Sequence, residues 1–122
     1  MTARDLLRVT GVLEGGTALG FLLFPAIPMQ LLFGQVPGAR LELLTGRLVG
    51  AALLSLAMTC LWGAASNIVR AMLLYNLVII GPLLYSRIGL GLSGIALWPA
   101  IIVHVLLAGW CIAVLRVNIR HS

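Results

Sequence analysis

Charge is what this chain has least of. Only 9% of its 122 residues are charged, against about 25% in an ordinary soluble domain. Lysine is absent, and the acids are Asp5, Glu14 and Glu42 alone. So little charge excludes a solvent-side active site and a paired-carboxylate centre. Cysteine is scarce too. Cys60 and Cys111 each stand alone in an apolar run, with no CxxC and no Cys/His spacing. They read as small buried hydrophobes, and no metal site is indicated. A Ser-His-Asp order, a phosphate-binding loop and an internal repeat are all missing.

What fills the chain is apolar. Hydrophobic residues make up 61% of it, and the mean hydropathy is +1.14. A chain this short has too much surface for its volume to hide that much apolar area in water. Lipid resolves the conflict, and residues 1–122 read as a single transmembrane domain. Four apolar stretches run from about 6–24, 41–63, 70–86 and 95–117. A spanning helix needs ~20 residues, with ~17 as the lower limit. Every backbone N–H and C=O must find a partner in lipid, and the alternation of a barrel strand is absent, so these are helices. The expected fold is all-α, an integral membrane four-helix bundle running up-down-up-down, because the linkers are short. The third stretch is the shortest and is expected to stand most upright or to thin the bilayer locally.

The first linker has its own character. Pro25 and Pro28 stop the first helix. Met29, Leu31, Leu32 and Phe33 follow, then Gly34, which predicts a short interfacial helix on the membrane surface. Arg4 and Arg8 ahead of the first apolar stretch give it the outline of a signal peptide. Glu14 interrupts that stretch and no small-residue cleavage site precedes Pro25, so a retained first helix is expected.

The net charge is +5 and all eight basic residues are arginines. They are spread singly rather than clustered on a polar face, which argues against nucleic acid. They look like topology signals beside anionic headgroups. Arg4, Arg8, Arg70, Arg116 and Arg120 fall on one side, and Arg40 and Arg87 on the other. That bias predicts both termini in the cytoplasm. Trp62 and Trp98 fit interfacial anchors. Glycines four apart, Gly11 and Gly15, Gly16 and Gly20, Gly46 and Gly50, predict close packing of the first long helix on the second.

Four polar residues lie well inside the apolar stretches: Glu14, Arg47, Asn76 and His104. An ionisable residue there costs roughly 2.5–3.5 kcal/mol on insertion scales, so it has a partner or a task. Counted along the helices, Glu14 and Asn76 share one depth and Arg47 and His104 another. Glu14 and Arg47 are expected to pair directly, since each would otherwise be an uncompensated charge. Tyr75 can add its hydroxyl. The cluster reads as an ion pair that sets helix register, as a binding or proton-handling site, or as a face toward a partner protein. A b-type haem would have His104 as its only internal histidine, since His121 lies in the tail. Met58 and Met72 are possible second ligands in type but read more simply as gap-fillers. One His and one Glu are too few ligands for a metal.

The runs VLEGGTALGFLLFP, LLFG, GRLVGAALLSLA, LLYNLVIIG and LWPAIIVHVLLAGW resemble a group of small, uncharacterised bacterial four-helix inner-membrane proteins, similar in architecture to DoxX-like proteins. The resemblance implies a compact four-helix bundle in the bacterial cytoplasmic membrane. It implies no activity and no residue role.

The functional expectation is a non-enzymatic accessory or binding subunit built around Glu14, Arg47, Tyr75, Asn76 and His104. One alternative is a binder of a quinone or other small apolar lipid, with His104 and Tyr75 holding the head group. The other is a proton-coupled transporter subunit that acts as an oligomer. The expected partners are membrane lipids and a second copy or a larger membrane complex.

Overall fold

The computed structural model describes residues 2–63 and 65–120, so His121 lies outside the described residues. These residues form five helices and, among them, no strand. The helices are α1 (Ala3–Leu23), α2 (Ala26–Phe33), α3 (Arg40–Trp62), α4 (Ala65–Ile88) and α5 (Leu97–Arg120). All but α2 are long and apolar enough to cross a membrane. The chain is a multi-pass membrane protein by that criterion.

Local chemistry sets the ends. Thr2 caps α1: its Oγ1 accepts from the Asp5 N–H at 3.2 Å, while the Asp5 carboxylate accepts from the Thr2 N–H at 2.9 Å. This reciprocal pair satisfies donors that the first helical turn leaves free. Pro25 separates α1 from α2. Pro28 sits in the first turn of α2, where its missing N–H costs nothing. Gly34 ends α2 at φ 74°, a left-handed position that glycine takes without strain. Glu42 reaches back to accept from the N–H groups of Gly38 and Ala39 at 2.9 and 3.0 Å, which starts α3.

The third spanning helix is longer than its sequence suggests. Its apolar part runs Asn67–Ile88, 22 residues, against 21 in α1, 23 in α3 and 21 in α5. Ser66 and Asn67 lie in its first turn rather than in a linker. Free backbone N–H groups and nearby headgroup water make that turn hospitable to polar residues. Pro82 lies within α4, as spanning helices tolerate.

Packing divides the helices into two pairs. α1 lies against α3 in an antiparallel register set by glycine. A Cβ on Gly11 would meet Leu61 and the Ala57 carbonyl, one on Gly50 would meet Ala18 and Leu22, and one on Gly46 would meet Pro25. α4 pairs with α5, and α1 joins the two pairs. At the end that holds the chain termini the bundle is filled solid. Leu6, Leu7, Cys60, Val69, Met72 and Cys111 pack there, each at most 1% exposed. Toward α2 the pairs diverge. There the Leu31 and Leu32 carbonyls accept from the N–H groups of Ala96 and Gly94 at 2.8 and 3.2 Å, tying α2 to the segment before α5.

Candidate functional site

Between the solid end and α2 lies a partly open cavity of about 970 Å³, walled by all five helices. That volume is at the upper end of the range for small-molecule sites. Its wall is apolar except at a few points. Among the described residues, Glu14 of α1, Tyr75 of α4 and His104 of α5 are the only ionisable side chains lining it, and no arginine does.

These three form one connected group with Asn76. Glu14 is 5% exposed and Asn76 is fully buried. The Tyr75 hydroxyl donates to Glu14 Oε2 at 3.3 Å. This is long for an O–H···O bond, so the two groups are loosely held. The Tyr75 and His104 rings meet edge to face, with centroids 5.7 Å apart. His104 Nδ1 lies 2.8 Å from Asn76 Oδ1, and Asn76 Nδ2 donates to the Met72 carbonyl at 2.7 Å.

The last two contacts determine proton positions. A backbone carbonyl can only accept, so the Asn76 nitrogen faces Met72 and its oxygen faces His104. Nδ1 of His104 therefore carries the proton and donates it to Asn76. In the neutral ring Nε2 is then a bare acceptor. The network assigns this tautomer through its partners.

Two further polar groups line the cavity, and both have spent their protons. Thr17 donates to the Leu13 carbonyl at 2.9 Å and Thr45 to the Leu41 carbonyl at 2.8 Å. Thr10 lies one turn before Glu14 on the same face of α1, 1% exposed, and its Oγ1 has no partner. Sequence reasoning missed it. The signal was the i, i+4 spacing that stacks Thr10 under Glu14.

Arg47 does not join the group, and the expected Glu14–Arg47 pair is not formed. Arg47 is exposed, and its Nε donates to the Leu22 carbonyl at 3.4 Å. Helix register is the reason. Gly50 packs opposite Ala18 and Leu22, and Gly46 opposite Pro25. Arg47 thus sits at the level of Leu22, about 12 Å further along α1 than Glu14 at ~1.5 Å rise per residue. A long arginine near a helix end turns its head outward.

α2 was expected to rest on the surface, yet it also lines the cavity, through Ile27, Met29 and Leu32 among others. Among the described residues no three His, Cys, Asp or Glu side chains gather to hold a metal ion.

No protein-family model, no curated protein and no solved structure matches the chain. The reading of function therefore rests on the geometry of the cavity.

Proposed function

We propose that this protein is a membrane ligand-binding protein that holds a small apolar molecule inside its bundle, with a polar head against Glu14, Tyr75 and His104. The observation that carries the reading is the cavity of about 970 Å³ in whose apolar wall Glu14, Tyr75 and His104 come together. A small molecule with an apolar body and one hydrogen-bonding end matches that distribution. It could enter directly from the lipid.

Donor and acceptor chemistry narrows the head group. Tyr75, His104, Thr17 and Thr45 each give their proton to a protein acceptor. Apart from the Glu14 carboxyl, the wall is left with lone pairs, so a head that donates hydrogen bonds fits it. Of a quinone couple, the quinol, with its hydroxyl donors, suits this wall better than the oxidised form.

The same reading takes the four long helices as crossing the bilayer up-down-up-down, with both termini in the cytoplasm of a bacterium. The arginine bias supports that orientation. α2 then lies at the outer interface and closes the end of the cavity.

Gentle detergent extraction followed by native mass spectrometry tests the proposal. The intact protein should retain a small molecule of lipid character. Gly16→Phe should lose it, because Gly16 lines the cavity and a Cβ there meets nothing within 4 Å. A wild-type protein that is always empty, or a Gly16→Phe protein that keeps its adduct, would sink the reading.

A further inference from the structure

Glu14 poses a problem that hydrogen bonding alone does not solve. It is a carboxyl 5% exposed in an apolar wall; among the described residues no arginine lines the cavity, and the one imidazole there, His104, is held by Asn76 rather than by Glu14. The arginine that might have neutralised it is about 12 Å along the helix, bound to the Leu22 carbonyl. A buried carboxylate with no positive partner is strongly disfavoured in a low-dielectric site. Two species can cancel its charge here: a proton, or a cation that enters the cavity.

The surroundings favour a cation of organic type. The neighbouring wall offers acceptors only, which suits an ammonium N–H. The Tyr75 hydroxyl meets Glu14 at 3.3 Å, which brings an aromatic ring into the same part of the wall, and an aromatic face attracts a cation within about 6 Å. The rest of the lining is hydrocarbon, which suits an apolar body and leaves a hydrated metal ion without ligands. A neutral donor such as a quinol would satisfy the hydrogen bonds and leave Glu14 protonated, with no proton exchanged.

We propose that the cavity binds a lipophilic organic ammonium ion, and that the ion enters in exchange for a proton on Glu14. This rests on the ligand-binding reading above and specifies its ligand class. The exchange balances: the Glu14 carboxyl releases one proton to water as the ammonium takes its place, and the carboxylate and ammonium form the pair. The Tyr75 hydroxyl moves from Glu14 to a position where its oxygen accepts from the ligand, which its 3.3 Å bond permits. The titratable groups that face Glu14 are Tyr75 from α4, His104 from α5 behind the Tyr75 ring, and Cys60 from α3. α2 brings none, and among the described residues no other ionisable side chain lines the cavity. Glu14 is accordingly the group that exchanges the proton.

The test uses 3,3-diphenylpropylammonium and its neutral isostere 3,3-diphenylpropanol, titrated calorimetrically into the full-length protein in detergent. Repeating the titration in buffers of different ionisation enthalpy counts the protons released. The ammonium should bind at least about tenfold more tightly than the alcohol. It should release about one proton per ligand, and its affinity should fall about tenfold per pH unit in the acid range. Glu14→Gln should lose both the preference for the ammonium and the proton release. Proton counting needs no variant, so a poorly folding Glu14→Gln protein does not spoil the test; Glu14→Asp, which keeps the carboxylate, should retain the release. If both probes bind equally with no proton released, the ammonium proposal fails and the ligand-binding reading stands. If neither binds a folded protein, both fail.

Discussion

Replacing Gly50 and Gly16 by alanine should move stability in opposite directions, although both glycines are mid-helix in an apolar span. Alanine in a helix is favoured over glycine by up to ~1 kcal/mol. At Gly16 nothing opposes that gain, since a Cβ there meets no atom within 4 Å. At Gly50 the new carbon would lie 2.9 Å from the Ala18 carbonyl oxygen, the Leu22 nitrogen and the Phe21 Cβ. Two of those are backbone atoms, which cannot swing aside, so α1 and α3 must separate. Overpacking of this kind costs about 1–3 kcal/mol. The net effect at Gly50 is a loss of about 1 kcal/mol, and the two variants should differ by about 2 kcal/mol. Gly46→Ala should fall between them. Its contacts are Pro25 Cβ at 2.9 Å and Met29 Sδ at 3.1 Å, and a methionine side chain can yield. Reversible unfolding in mixed micelles, followed by far-UV circular dichroism, gives the ranking. A Gly50→Ala protein as stable as Gly16→Ala would mean that α1 and α3 do not meet at these glycines.

Three more outcomes follow from the site and its surroundings. Glu14→Gln and Arg47→Gln should be nearly additive in the same unfolding assay, with a coupling far below the ~3–5 kcal/mol lost when a buried pair is broken; coupling of that size would restore the ion pair. Asn76→Leu should cost about 1–3 kcal/mol, because it strands the Nδ1–H of His104 in an apolar wall; a loss under about 0.5 kcal/mol would mean that the bond contributes little. Gly94→Ala should free α2, since any Cβ at Gly94 overlaps the backbone of Leu31 and Leu32. Hydrogen exchange should then rise at Ala96 and along α2, and unchanged protection there would contradict the proposed tie.

How much of this was legible in the sequence depended on whether the cause was local. The four spanning helices were readable because lipid imposes one demand on every residue, that backbone groups pair within the segment. Caps and breaks were readable for a similar reason: Pro25 and Gly34 act through their own φ angles. Glu14, Arg47, Tyr75, Asn76 and His104 stood out together because polar side chains in an apolar stretch are conspicuous, and Arg47 is the one of the five that the structure leaves outside the connected group. The start of α4 was misjudged because Ser66 and Asn67 look like a linker by composition, and only the chain's path shows them within a helix.

The partners of those residues were a tertiary matter. Depth counted along separate helices brought Glu14 and Arg47 near enough to pair, but side-chain direction and interhelical register decide contact. Gly50 packing against Ala18 and Leu22 carries Arg47 past Glu14 and out to the Leu22 carbonyl. The same register leaves Glu14 facing Tyr75 across a cavity. Sequence by itself determined that a carboxyl would be buried in lipid-facing helices, because its neighbours along the chain are apolar. Whether that carboxyl would have a positive partner depended on how two helices slid against each other, and glycine contacts between residues tens of positions apart set that slide.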